Sequence, residues 1–243
     1  MALILKIKAV ILTGKNKLSV SDIEPINKLQ KGQILVQIFY SSVCGSQLME
    51  FQGKRGKDVW IPHLMGHEGS GKIIEIGPGV KKFKKDDEVI IGWIKNAGQE
   101  SEAPKYKYLD NRKLIIIAGK ATTFSKYSII SENRLTLKPK KLSHKEAVLF
   151  GCALPTGMGM AIKHIGPKNK KKSILVVGAG GVGLASALAL YCYNFLDVTV
   201  VDKSKKKLKF VKSNFKFNTI DLENINSQRK FINQKFDYCI ESS

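Results

Sequence analysis

The reading of the fold turns on residues 173–202, SILVVGAGGVGLASALALYCYNFLDVTVVD. Residues 174–177 form a short, continuous, β-branched apolar run, the pattern of a parallel strand buried on both faces. Gly178, Gly180 and Gly183 follow at once with G-x-G-x-x-G spacing. In such a turn the first glycine permits the tight bend, the second lets backbone approach a pyrophosphate, and the third lets a helix lie close to the strand. Residues 184–193 read as that helix, with free N–H groups and a dipole that favour an anion at its start. Residues 198–201 read as the next strand, closed by Asp202 about 20 residues beyond the glycines, where a carboxylate accepts hydrogen bonds from a ribose hydroxyl pair. A lone glycine motif is often an ordinary turn; strand before, helix after and acid at this distance favour a dinucleotide site. Gly178, Gly180, Gly181, Val182, Gly183, Asp202 and Lys203 are the expected contacts. Asp202 favours NAD over NADP, because it repels a 2′-phosphate; Lys203, Lys205 and Lys206 weaken that exclusion.

With 243 residues the chain has room for one large or two modest domains, and 43% apolar content is ordinary for a globular protein. The net charge of +21, from 41 basic and 20 acidic residues, raises nucleic acid or an anionic membrane surface as a partner. The lysines, however, are scattered through every segment, with local runs at 81–85, 168–172 and 203–207, and no basic stretch is interleaved with aromatics. They read as solvated surface, so neither a specific nucleic acid nor a membrane partner is expected. Cys44, Cys152, Cys192 and Cys239 lie far apart, and Lys6 and Lys8 break the apolar N-terminus, which argues against a signal peptide and for a reducing cytoplasm. No apolar run reaches bilayer-spanning length.

Up to about residue 140 the chain carries short strand-like runs at 3–12, 34–43, 71–76, 88–91, 127–130 and 135–137, punctuated by glycine and proline, the signature of an all-β domain. Residues 143–150 read as a short helix with Ser143 and Glu146 in a capping box, and 156–165 as a second helix. Beyond Asp202 a helix is expected at 204–212, a strand at 219–222, a helix at 223–234 and a strand at 236–240. Alternating strands and helices imply a parallel, doubly wound sheet. The expected division is a β domain over 1–153 and an α/β domain over 154–243.

Three possible metal ligands sit beside glycines: Cys44 in SVCGSQ, His67 in MGHEGSG and Cys152 in FGCALPTGMG. Singly each is unremarkable, since free cysteines are usually small buried hydrophobes. Their ordered context is not. Cys44-Gly45-Ser46 is followed by Gly66-His67-Glu68-Gly69 with Gly71, then Gly77, Gly79-Val80 and Asp87-Glu88-Val89. Thr123-Phe124-Ser125-Lys126-Tyr127, Gly151-Cys152 with Thr156-Gly157, and the dinucleotide turn complete the series. The series resembles the zinc-dependent medium-chain alcohol dehydrogenases from the first strands through Ser242.

The resemblance implies a GroES-like β domain followed by an α/β Rossmann domain, and hydride transfer between NAD(H) and a small alcohol, polyol or sugar, or its carbonyl. It places a catalytic zinc on Cys44, His67 and Cys152 with a fourth, open position, as catalytic zinc requires. It gives Ser46 the relay of the alcohol's proton, Glu68 the acidic position behind the zinc, and Thr156 a place near the nicotinamide. It also implies a homo-oligomer for the complete protein. Two departures stand out. Gln47 replaces the family's aspartate, which orients the ligand histidine, so a weaker brace on His67 is expected. Residues 93–112 contain no cysteine, so no structural zinc is expected there. Only four strands can be counted where a full dinucleotide sheet has six in the order 3-2-1-4-5-6. The expectation is that the doubly wound sheet is incomplete and that the 243 residues alone do not catalyse hydride transfer. The competing readings are a zinc-free quinone or enone reductase of the same superfamily, a basic nucleic-acid-binding protein, and a non-catalytic remnant.

Overall fold

The structure is a computed structural model that describes residues 6–111 and 113–243. The chain divides between Cys152 and Ala153 into two compact units. Alternating burial along β1 (Ile7–Gly14) and β2 (Lys17–Pro25) sends Ile7, Ile11 and Ile23 inward. These strands close a barrel with β4 (His63–Leu64), β7 (Lys105–Tyr108) and β8 (Ile115–Ile117), in the order β1-β2-β7-β8-β4. A second sheet orders β10-β6-β5-β3-β9, from β3 (Gln33–Ser41), β5 (Gly69–Ile76), β6 (Glu88–Ile91), β9 (Tyr127–Ser131) and β10 (Leu135–Leu137). Ile34, Val36, Ile73, Val89, Ile91, Ile130 and Leu135 form its buried cluster.

The strand readings at 34–43, 71–76, 88–91, 127–130 and 135–137 correspond to β3, β5, β6, β9 and β10. The reading at 3–12 corresponds to β1, and its first residues, 3–5, lie outside the described residues. Strands β2, β4, β7 and β8 and the helix α1 (Gly45–Phe51) were not anticipated. The reason is composition: β7 reads KYKY, β4 has two residues, and α1 buries only Gln47, so it carries no apolar stripe.

The cysteine-free lobe is organised by carboxylates. Glu132, 2% exposed, accepts N–H groups from Lys81 and Lys82 at 2.8 Å each, and a third from Gln99. Glu100 pairs with Lys95 at 2.6 Å, Lys120 at 2.9 Å and Arg134 at 3.3 Å. The Lys95 and Lys120 hydrogen bonds bring its carboxyl down to about 2. Near the end of this unit, α2 (His144–Ala147) starts on the anticipated capping box of Ser143 and Glu146.

The second unit opens with α3 (Ala153–Gly159), three residues ahead of the expected start, and passes into a wider π-type segment, Met160–Ile165, that ends at Gly166 and Pro167. Its sheet contains β11 (Ser173–Val177), β12 (Asp197–Asp202), β13 (Asn218–Asp221) and β14 (Tyr238–Glu241). All pairings are parallel and the order is β13-β12-β11-β14. This is the 3-2-1-4 portion of a doubly wound sheet. Ile174, Val176, Val198, Val200 and Ile240 supply its buried core. Between the strands lie α4 (Gly181–Cys192), α5 (Lys205–Phe215) and α6 (Ile225–Ile232). Helix α4 begins three residues before the expected Leu184, because Gly180 caps it and Gly183 already belongs to its first turn. A Cβ at Gly183 would overlap the Gly178 carbonyl, so the third glycine sets the distance between helix and strand. Among the described residues no single helix is long and apolar enough to cross a membrane.

Candidate metal centre and dinucleotide turn

Cys44 is the N-cap of α1, in extended backbone, and its carbonyl accepts the Gln47 N–H at 3.0 Å. His67 follows a left-handed turn at Gly66 (φ +86), where a Cβ would press on Thr123 and Phe124. The motif around Thr123 explains this crowding. The N–H groups of Thr123 and Phe124 both reach the Met65 carbonyl, at 3.2 and 3.1 Å, and the Thr123 hydroxyl donates to the Glu68 carbonyl at 3.0 Å. The segment carrying His67 is thus clamped on both sides of the ligand. Cys152 follows the 3-10 turn Val148–Gly151, in which Gly151 lies directly against Glu68 and Ile91.

These elements bring the three expected ligands together: one donor atom from each of Cys44, His67 and Cys152 lies within 4.8 Å of the others. The two sulfurs are 3.7 Å apart and both thiols are free. That is far beyond a disulfide bond of about 2.05 Å. It matches two thiolates sharing a tetrahedral zinc, since Zn–S bonds of about 2.3 Å put the sulfurs about 3.8 Å apart. The His67 Nε2 is buried with no hydrogen-bond partner among the described residues. Burial, and then the Arg55 charge, lower the pKa of His67, which keeps the imidazole neutral with a lone pair to offer. Burial, followed by the neighbouring Cys44 and Glu68, pushes the Cys152 thiol up. A bound divalent cation would reverse that effect, because metal coordination deprotonates thiols outright. The donor set therefore fits zinc.

Glu68 is buried, and burial raises its carboxyl against the opposing pull of the Ser42 hydroxyl. Ser46, the second residue of α1, is half-buried and makes no side-chain hydrogen bond among the described residues. Gln47 departs from its expected role. Its Oε1 accepts the Gly66 N–H and its Nε2 donates to Glu50 at 2.8 Å, so it braces the backbone before His67 and not the imidazole. The sequence reading passed over Glu50, Asp58 and His63, whose donor atoms also lie within 4.8 Å of one another. The available signal was a histidine inside the apolar run IPHLMG.

In the second unit Thr156 has a buried hydroxyl without a partner among the described residues. The glycine turn bends at Gly178 (φ +89). Asp202, 8% exposed, accepts the Ala179 N–H on Oδ2 and the Ser204 N–H on Oδ1, each at 2.7 Å. Burial opposes ionisation of Asp202, but these two donors and Lys207 outweigh it and lower its pKa. Lys207, 3.5 Å away, is the cation that approaches the carboxylate, and no ion pair joins it to Lys203 among the described residues. At Gly180 a Cβ would meet nothing within 4 Å. That open position, beside the free N–H groups at the start of α4 around Gly181 and Val182, fits a pyrophosphate.

Residues 30–140 match the alcohol dehydrogenase GroES-like domain. The S-(hydroxymethyl)glutathione dehydrogenase of Photobacterium damsela subsp. piscicida is 25% identical over 228 residues, which are 84% of this chain and 60% of that protein. The chain thus spans about 60% of the length of the curated relatives it matches. An alcohol dehydrogenase zinc-binding domain protein from Burkholderia ambifaria superposes with a TM-score of 0.83 at 18% identity, covering 98% of this chain and 71% of that one. Benzyl alcohol dehydrogenase from Acinetobacter calcoaceticus superposes at 0.80 with 20% identity, covering 99% and 71%. The structural likenesses establish the fold, a GroES-like domain followed by a Rossmann-type sheet. Residues 30–140 thus carry the GroES-like domain of alcohol dehydrogenases, and the rest of the chain is similar in fold to zinc-type alcohol dehydrogenases.

Proposed function

We propose that the protein is an oxidoreductase that transfers a hydride between NAD(H) and a small alcohol, polyol or sugar, or the corresponding carbonyl, with one zinc on Cys44, His67 and Cys152. The observation that carries this reading is the pair of free sulfurs 3.7 Å apart beside a buried, unpartnered imidazole nitrogen. The names of the relatives, S-(hydroxymethyl)glutathione dehydrogenase and benzyl alcohol dehydrogenase, support an alcohol-type substrate. Bound to three protein ligands with one position open, zinc supplies Lewis acidity that eases loss of the alcohol proton, and NAD supplies the hydride acceptor.

The chain's own residues do the rest. Cys44 and Cys152 neutralise the metal's charge, while His67, kept neutral by burial, adds a donor without adding charge. Ser46, half-buried at the start of α1, takes the released proton and passes it outward. Glu68 places a buried carboxyl next in sequence to the ligand histidine, and Thr156, whose buried hydroxyl has no partner among the described residues, would lie near the nicotinamide. Gly180 leaves room for the pyrophosphate, and Asp202 accepts the ribose hydroxyls and thereby selects NAD. The lobe around Glu100 and Glu132 carries no structural zinc in this reading. The reading also requires a reducing compartment, in which both thiols remain available.

The test measures zinc content and NAD-dependent alcohol oxidation together, in the chain and in any longer form its coding sequence specifies. Cys44→Ala, His67→Ala and Cys152→Ala each lose zinc and turnover. Ser46→Ala keeps zinc but slows turnover by about 100-fold, the lower range for loss of a proton-transfer group. Turnover that survives His67→Ala favours a zinc-free reductase and overturns the reading.

A further inference from the structure

In the first unit a cavity of about 540 Å³ is lined by Gln47, Glu50, Asp58, Trp60 and His63, and by none of the three zinc-triad residues. His63 is 9% exposed. Its Nδ1 lies 2.9 Å from the Leu64 carbonyl, so that nitrogen carries a proton and donates it. The other nitrogen, Nε2, faces Asp58 Oδ2 at 2.8 Å and Glu50 Oε1 at 3.8 Å. With a neutral imidazole this sets three acceptors against one another, an arrangement relieved either by a proton on Nε2 or by a metal cation among them.

The remaining oxygens are already engaged. Glu50 Oε2 accepts from Gln47 Nε2 at 2.8 Å, and Asp58 Oδ1 accepts the Trp60 N–H at 2.9 Å. Each of the three side chains is therefore braced through one polar atom while the other turns toward its neighbours, and one donor atom from each lies within 4.8 Å of the others. This is the outer-shell pattern of metal sites, in which a ligating histidine donates its second N–H to a carbonyl and ligating carboxylates are themselves hydrogen-bonded. Arg55 and Lys57 line the same cavity, yet among the described residues neither forms an ion pair with Glu50 or Asp58.

We propose that Glu50 Oε1, Asp58 Oδ2 and His63 Nε2 bind a divalent metal ion, at a site separate from Cys44, His67 and Cys152. Two carboxylates and one imidazole suit Mn²⁺, Co²⁺ or Zn²⁺, and lack the thiolates that a soft ion selects. Metal–ligand bonds of about 2.1 Å put neighbouring ligands of an octahedral ion about 3 Å apart. The 2.8 Å pair is already at that spacing, and Glu50 Oε1, 3.8 Å from Nε2, reaches it by moving about 0.8 Å. The cavity leaves room for water to complete the coordination. Without thiolates the ion exchanges readily. By tying the loop at Asp58 to α1 and to β4, it stiffens the segment that Gln47 joins to Gly66, immediately before His67.

The test is a titration with Mn²⁺ of the zinc-loaded chain after dialysis has removed the exchangeable ion, followed by electron paramagnetic resonance. The expected result is one Mn²⁺ per chain, with affinity reduced at least about 10-fold in Glu50→Gln and in Asp58→Asn, and unchanged in Cys152→Ser. Absence of Mn²⁺ binding in the unmodified chain overturns the proposal and leaves an imidazolium–carboxylate pair. Equal affinity in the unmodified chain and both carboxylate variants overturns it as well, as does loss of Mn²⁺ on Cys152→Ser alone.

Discussion

Asp202 closes the glycine turn with both of its oxygens, one on Ala179 and one on Ser204. The residue assigned from sequence to a ribose thus staples the glycine turn, a task that no motif spells out. Asp202→Ala leaves two N–H groups without their acceptor, at a cost of about 2–4 kcal/mol, visible as a lower melting temperature. The same variant binds NAD more weakly and discriminates less against NADP. Its folded-state pKa is lowered, so its stabilisation is full above the ordinary carboxylate value and is lost as pH falls through the lowered one. Parallel NAD and NADP titrations check the cofactor claim. An unmodified protein that already prefers NADP would show that Lys203, Lys205 and Lys206 dominate the site.

At the scale of the element, the lobe after β6 is organised around a buried carboxylate. Burial opposes ionisation of Glu132, but the N–H groups of Gln99, Lys82 and Lys81 outweigh it and lower its pKa. Glu132→Gln turns one acceptor into a donor facing N–H groups and costs about 2 kcal/mol. By the sign of the shift, that difference is full at neutral pH and shrinks as acid protonates Glu132 in the unmodified chain. Urea unfolding of both forms across the acidic range measures it, and a pH-independent difference would contradict the assignment.

What the sequence showed of these elements follows physical lines. Parallel strands buried on both faces, such as β11 and β12, announce themselves as apolar runs, and α2 announces itself through local capping chemistry. The barrel strands β7 and β8 do not, because half of their side chains face water and their pairings with β2 and β4 are distant in sequence. The metal triad was legible through its motif neighbours, several of which prove to be mechanical. Thr123 and Phe124 clamp the segment that carries His67. Gln47 was misread because its position suggested the imidazole, whereas its amide reaches the adjacent Gly66 N–H. Glu50, Asp58 and His63 went unseen because their convergence depends on the path of the loop between α1 and β4.

At the scale of the whole molecule, the net charge of +21 remains however many surface ion pairs form, since each pair joins one basic and one acidic residue. Such exposed pairs contribute about 0–1 kcal/mol each. Spread over both units without a sequence-reading element, the charge predicts polyanion binding that is non-specific and collapses with added salt, as retention on a DNA column at rising ionic strength would show. Retention that persists at high salt and depends on base sequence would revive the nucleic-acid reading. Elemental analysis reads the proposed zinc on Cys44, His67 and Cys152. The chain is purified without added metal, then dialysed to remove the exchangeable ion of the oxygen-and-imidazole site. The account predicts one zinc equivalent in the unmodified chain and none in Cys152→Ala; zinc absent from the unmodified chain, or fully retained by Cys152→Ala, would contradict it.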